Sequence, residues 1–245
     1  MNDALTSPIL SYNGLKRSHR AIVNLHDFYF PLYNLDSDFL VRNYPILVFT
    51  EGFVYELDRL TEAAQDAGNI SDDIYAICAP VQATLESQDL WDDKIEAELR
   101  NLVRYFQLET RIMLEGGATL EDLIAINGVR SSDIRMLHRI LCRMATIPYD
   151  ERVFEAVHPM EMVFEIEDDI GSFEEDVQGG RFNTLAILKN IFGDDASAEL
   201  DAMTSAIEAT FRQRLSKVRG TMNQTLASAY DTFRGSFPRQ TGVVF

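Results

Sequence analysis

The chain has 245 residues, 46% of them hydrophobic, and a formal net charge of −17 at pH 7. This length and apolar content are sufficient for one large domain with a hydrophobic core. The negative charge disfavours contact with a phosphate backbone, so nucleic acid is not expected as a partner.

The sequence also bears on the compartment. Cys78 and Cys142 lie far apart without CxxC spacing, which is typical of reduced core cysteines. The first residues lack the pattern of a signal peptide, and no run of 18 apolar residues predicts a membrane span. We therefore expect a cytoplasmic protein.

Helical periodicity dominates the chain, and strand signals are limited to short clusters such as "AIVNL" and "GVVF". The pattern predicts about nine helices, in residues 45–69, 70–87, 92–117, 119–127, 131–147, 149–177, 182–193, 195–220 and 221–235. The predicted fold is an all-α single domain, residues 1–245, arranged as a helical bundle with a central cavity.

Several local signals support these helices. Ser71 and Asp150 are candidate N-caps, and Thr119 with Asp122 forms a capping box. Gly116 and Gly117 close the helix before them. Pro159 is expected to kink or divide the helix that contains it.

Four Asp-Asp pairs occur, and three of them are explained by helix starts. Acids at 72–73, 92–93 and 194–195 fall in first turns, where they offset the helix dipole. Asp168 and Asp169 instead lie in the middle of a predicted helix, so capping does not explain them.

Asp168, Ser172 and Asp176 are spaced i, i+4, i+8, which places them on one stripe of a helix. Two carboxylates with a hydroxyl between them suit Mg²⁺. The alternative is a solvated acidic face, although that usually carries Lys or Arg and none occurs from 153 to 180. Glu174 and Glu175 are expected to point away from the stripe.

The segment "DDIGSFEEDVQGGRFNTLAIL" resembles the second metal-binding motif of class I terpene synthases, (N/D)Dxx(S/T)xxx(E/D), with its following turn. Asp168, Ser172 and Asp176 stand at the three ligand positions, with Asp169 as the paired acid and Asn183 in the place of the family's Asn. The likeness covers roughly residues 128–190.

This resemblance implies a class I isoprenoid-synthase fold and Mg²⁺-assisted ionisation of a prenyl diphosphate such as farnesyl or geranylgeranyl diphosphate. It implies about three Mg²⁺ ions bound with the substrate diphosphate. The product would be a terpene, or a prenylated acceptor in a transferase of the same fold. A homodimer is compatible with this assignment.

The family also carries a first Asp-rich motif, DDxx(D/E), of which no clear copy is present. "FVYELDRLTEAA" is the preferred equivalent, because Asp58 and Glu62 are i, i+4 in an apolar helix. They would bind the remaining Mg²⁺. A solvated face beside Arg59 is the alternative interpretation.

Basic residues for the diphosphate are also implied by the resemblance. Arg130 follows the break at Asn127-Gly128 and is the candidate diphosphate sensor, with Arg135 and Arg139 as alternatives. Arg234 stands in "YDTFRG" without the Tyr that follows it in the family. Lys189 is a further candidate.

Two other functions compete with the enzyme. One is a non-catalytic isoprenoid-binding or partner protein that lost the first motif. The other is an acidic helical interaction protein.

His26, His138 and His158 lack metal-ligand spacing and are interpreted as core or surface residues.

Overall fold

The computed structural model describes residues 10–68 and 78–236. These residues form ten α-helices and one 3₁₀ turn and contain no strand, which confirms the all-α class. The helices are α1 Tyr12–Tyr33, α2 Ser37–Asp66, α3 Ala79–Ser87, α4 Asp93–Glu115, α5 Leu120–Asn127, α6 Ser132–Met144, α7 Glu151–Gly179, α8 Thr184–Phe192, α9 Ala196–Leu215 and α10 Thr221–Ser236, with the 3₁₀ turn at Gly193–Asp195.

Several predicted helix ends are confirmed. Thr119 and Asp122 form the reciprocal capping box at the start of α5, and Asp150 accepts a bond from the Arg152 amide at the start of α7. Asp92 accepts from the amides of Lys94 and Ile95 at 3.0 Å, so this acid is a cap. The predicted cap Ser71 and the pair at 72–73 lie outside the described residues.

The predicted helices were incomplete at two places. Helix α2 begins at Ser37, well before residue 45, because the Asp36 side chain caps it and Pro45 is accommodated inside it. No helix was predicted for residues 12–33, which form α1, and the short β-branched cluster "AIVNL" lies within it, where Ile22 and Leu25 are buried. Tertiary burial therefore overrides the β propensity of these residues.

The chain groups into two compact units. The first unit comprises the described residues up to Thr110 together with Ser132–Tyr149. In it α1 packs on α2, and α6 packs on both. Leu47, Leu57 and Leu137 are among its fully buried side chains.

The second unit comprises Arg111–Ser131 and the described residues from Asp150 onward. Helix α7 packs against α8 and α9, and α9 also contacts α10. Pro159 does not divide α7, since the helix is continuous through it. The carbonyl of Glu155, which a proline at 159 cannot bond, accepts instead from Arg214 Nη1 at 3.0 Å.

No described helix is both long and apolar enough to cross a bilayer.

Candidate functional site

Helix α7 is the scaffold of the candidate site. Because it runs unbroken from Glu151 to Gly179, Asp168, Ser172 and Asp176 share one stripe, as predicted. Asp168 is exposed, whereas Ser172 and Asp176 are half-buried. Ser172 Oγ donates to Asp176 Oδ2 at 2.5 Å, so the two C-terminal residues of the stripe are hydrogen-bonded to each other.

The turn after α7 folds back onto the stripe. Gly180 takes φ +65°, a left-handed conformation that favours glycine, and the Arg181 amide donates to the Asp176 carbonyl at 2.8 Å. Asn183 Nδ2 then donates to Asp176 Oδ2 at 2.9 Å and to the Asp169 carbonyl at 2.7 Å. The "GGRFN" continuation therefore holds Asp176 in place.

Asp169 and Arg130 come together although 39 residues separate them. Arg130 Nη1 donates to Asp169 Oδ2 at 2.7 Å, and the Thr184 amide donates to the same oxygen at 2.9 Å. The Asp169 side chain is only 1% exposed. The paired acid of the motif is thus an anchor for the predicted sensor arginine.

Glu165 is a site residue that the sequence analysis missed. It accepts from Ser131 Oγ at 3.0 Å and pairs with Arg130 Nε at 3.1 Å, while about a quarter of its side chain (26%) stays accessible. Desolvation by the surrounding protein raises its pKa, against the lowering effect of Arg130. The available signal was its position one turn before Asp169 on the same helix.

The continuous helix also corrects the expectation for Glu175. This residue is i+7 from Asp168, so it lies within about 20° of Asp168 around the helix axis. Glu174 lies about 120° from Asp168 and is exposed, as expected. Only Glu174 is therefore well removed from the stripe.

Arg234, the second predicted arginine, also contacts α7. Its Nη1 forms a close ion pair with Glu167, and its Nε lies 3.2 Å from Glu208 Oε1. Tyr230 donates to the same Glu208 oxygen at 2.8 Å, so α10 and α9 jointly position the guanidinium. In the sequence, exposed Asp168 therefore lies between two carboxylates that are ion-paired, Glu167 and Asp169.

Lys189 also contacts helix α7. Its Nζ is 4.3 Å from the ring centroid of Phe173, which adjoins Ser172 on α7. This geometry is a cation–π contact. It holds the ammonium group against α7 at Phe173, which lies about 140° around the helix axis from Asp168.

The candidates for the first metal motif lie in the first unit. Asp58 and Glu62 are half-buried on one face of the continuous helix α2. Asp58 Oδ2 is 3.2 Å from Arg17 Nη1, and the same guanidinium lies over the Tyr55 ring at 4.2 Å. Burial raises the pKa of Tyr55, and the carboxylates of Glu51 and Asp133 raise it further.

The alternative arginines have a different environment from the one expected for a diphosphate sensor. Arg135 and Arg139 are both 6% exposed, and both pair with Glu98, at 3.3 and 3.0 Å. They form a buried ion-pair cluster in the first unit. Both guanidinium groups tolerate burial because Glu98 supplies the compensating charge.

The three histidines match the interpretation given to them. His138 is fully buried with Nε2 2.7 Å from the Tyr33 hydroxyl, and His158 Nε2 donates to the Gly128 carbonyl at 2.8 Å. His26 lies beside Asp27 on α1. The His158 bond ties α7 to the break that precedes Arg130.

The donor set on α7 has the chemistry that Mg²⁺ prefers, with two carboxylates and a hydroxyl on one stripe. Asp169 Oδ1 adds a buried oxygen that has no hydrogen-bond partner among the described residues. In the part of the chain that the structure describes, no three His, Cys, Asp or Glu side chains are arranged as a metal-binding group. Mg²⁺ binding by Asp168, Asp169, Ser172, Asp176, Asp58 and Glu62 therefore stays a prediction.

Comparison with protein-family models gave no match. Comparisons with curated proteins and with solved structures gave no match either. The resemblance to class I terpene synthases thus rests on the residues of the motif and its continuation.

Proposed function

We propose that this protein is a Mg²⁺-dependent class I terpene synthase that ionises a prenyl diphosphate. The observation that supports this best is the arrangement on α7. Exposed Asp168 stands at one end of a stripe whose other end, Ser172 and Asp176, is held by Asn183. Arg130 and Arg234 pair with the carboxylates on either side of Asp168 in sequence.

The residues divide into two roles under this proposal. Asp168, Ser172 and Asp176 would hold Mg²⁺, which supplies Lewis-acid neutralisation of the departing diphosphate when bound. Arg130, Arg234 and Lys189 would donate hydrogen bonds to diphosphate oxygens. Asp169 and Glu165 would orient Arg130, and Glu208 with Tyr230 would orient Arg234.

The test is diphosphate release from geranyl, farnesyl and geranylgeranyl diphosphate with and without Mg²⁺. We expect Mg²⁺-dependent release that falls by about 100-fold or more in Asp168→Asn and in Asp176→Asn. Glu174→Gln is the matched control, since it removes one charge from the same helix away from the stripe, and it should keep the wild-type rate. Equal rates in Asp168→Asn and Glu174→Gln would contradict the assigned ligands.

A non-catalytic isoprenoid-binding protein is the second candidate. It is favoured by the ion pair between Asp58 and Arg17. Asp58 is the preferred acid of the first metal motif, and its charge is already balanced by an arginine of the same unit. This candidate predicts Mg²⁺-dependent binding of farnesyl diphosphate in calorimetry without any release of diphosphate. Absence of Mg²⁺-dependent binding would contradict both functions.

A further inference from the structure

A concave surface lies in the second unit, away from the acidic stripe. It is a groove of about 400 Å³ between α5, α7 and α9. Its walls are mainly apolar, with Leu120 and Ile124 from α5, Met162 from α7, and Met203 and Ile207 from α9. This volume lies within the range of small-molecule sites.

The apolar side chains of this groove are accessible rather than packed away. Ile124 is 55% exposed and Leu120 is 39% exposed, although both lie on the same short helix. Met162, Met203 and Ile207 are half-buried. Single exposed apolar residues are ordinary, but a continuous apolar groove across three helices is typical of a binding site. Methionines on two of its walls allow the groove to adapt to a flexible chain.

The polar groups of the groove are distributed unevenly along α9. Arg214 lines one end, where its Nη1 donates to the Glu155 carbonyl at 3.0 Å. Arginine has five N–H donors, so this bond fixes the guanidinium and leaves donors for a ligand. Glu199 lines the groove fifteen residues earlier, which is about 22 Å along the helix axis. The two ends therefore prefer opposite charges.

We propose that this groove binds a single-chain amphiphile of the long-chain fatty acid class. The carboxylate would pair with Arg214, and the apolar tail would lie along Ile207, Ile124 and Met203. Glu199 repels an anion at the other end, which sets the direction of the ligand. A helical peptide of the same length would occupy about 2,000 Å³, several times the volume of the groove, so a single extended chain is the better occupant.

The experiment uses hexadecanoate and hexadecan-1-ol, which share a tail and differ in head-group charge. Each is tested for its ability to displace cis-parinaric acid from the full chain in EDTA, so that the result is independent of any metal site. We expect hexadecanoate to bind, and Ile124→Glu and Met203→Glu to weaken both ligands by about tenfold or more. Arg214→Gln should weaken hexadecanoate by about tenfold and leave hexadecan-1-ol unchanged.

Two matched controls accompany these variants. Arg212→Gln removes the same charge from an exposed position of α9 outside the groove, and Val41→Glu places an acid at an exposed β-branched residue of α2. Both should bind hexadecanoate like the wild type, and circular dichroism should show that every variant is folded.

Unchanged binding in Ile124→Glu and Met203→Glu would overturn the site. Equal loss of acid and alcohol in Arg214→Gln would overturn the head-group assignment. A dimer that Ile124→Glu disrupts, with no hexadecanoate binding, would make the groove a self-association surface instead.

Discussion

At the scale of single residues, the neighbours Asp168 and Asp169 differ completely in environment. Asp168 is exposed, whereas Asp169 is buried and accepts from Arg130 and from the Thr184 amide. Consecutive residues of a helix point about 100° apart, so one faces solvent while the other faces the break before α6. A paired-acid motif therefore divides into one candidate ligand and one anchor.

This division predicts unequal effects of two adjacent substitutions on the free energy of unfolding. Asp169→Ala should lower the free energy of unfolding by about 3 kcal/mol, because it leaves part of the Arg130 charge and the Thr184 amide without an acceptor. Asp168→Ala should change it by no more than about 0.5 kcal/mol. Urea unfolding of both variants measures the difference. Similar losses in the two variants would contradict the anchor role of Asp169.

His138 provides a second prediction at this scale, concerning pH. Desolvation lowers its pKa from the ordinary 6.5 to about 3, with the Arg139 charge contributing in the same direction. Below pH 6.5 the imidazole of His138 binds a proton in the unfolded chain but stays neutral in the folded chain. The free energy of unfolding therefore falls as the pH drops from about 6.5 towards 3. This histidine should cost about 2 kcal/mol of stability between pH 7 and pH 5.

The measurement is the free energy of unfolding in urea at pH 7 and pH 5. His138→Gln keeps a polar group beside Tyr33 but cannot titrate, and it shares every carboxylate with the wild type. The wild type should lose about 2 kcal/mol more than His138→Gln over this interval. The same pH dependence in both proteins would show that His138 has the same pKa in the folded and unfolded states, which would contradict this prediction.

At the scale of elements, local signals and tertiary contacts contributed differently to the interpretation. The capping box of α5, the cap of α7 and the i, i+4, i+8 stripe depend on residues within a few positions of one another, and the sequence predicted them. The start of α2 was missed because the Asp36 cap and an internal Pro45 gave a weaker signal than the apolar run after it. The partners of Arg130, Arg135 and Arg234 lie between 37 and 67 residues away, and no periodicity encodes such pairings.

Asn183 shows how one side chain connects two elements. Its Oδ1 caps α8 by accepting from the Leu185 and Ala186 amides, while its Nδ2 bonds Asp176 and the Asp169 carbonyl of α7. Asp150 is a simpler N-cap, and among the described residues its side chain bonds only within its own first turn, to Arg152. A comparison of Asn183 with Asp150 therefore distinguishes the stability gained from capping a helix from the stability gained from bonding two helices together.

We expect Asn183→Ala to cost more stability than Asp150→Ala. Loss of a cap costs about 1 kcal/mol in either variant, and the two further bonds of buried Asn183 add about 1–2 kcal/mol. Thermal and urea unfolding of the two variants give the comparison. Equal losses would mean that the bonds from Asn183 to α7 contribute no net stability.

At the scale of the whole molecule, charge is the dominant property. The chain has 39 acidic and 22 basic residues, and many of the described arginines are already paired with carboxylates. Excess like charge destabilises a folded state through self-repulsion, and salt screens that repulsion. Any cation should therefore stabilise this protein to some extent, so a specific Mg²⁺ effect has to be separated from general screening.

The separation comes from melting temperatures measured at equal ionic strength. Sodium chloride should raise the melting temperature of the wild type, Asp168→Asn and Glu174→Gln alike, since each variant changes the net charge by one. Mg²⁺ with inorganic diphosphate should add a further increment for the wild type and Glu174→Gln, worth about 1.4 kcal/mol at ten times the dissociation constant. Asp168→Asn should lose this increment and keep the sodium effect. If Mg²⁺ with diphosphate adds nothing beyond sodium chloride in the wild type, the acids of α7 act only as a solvated negative surface.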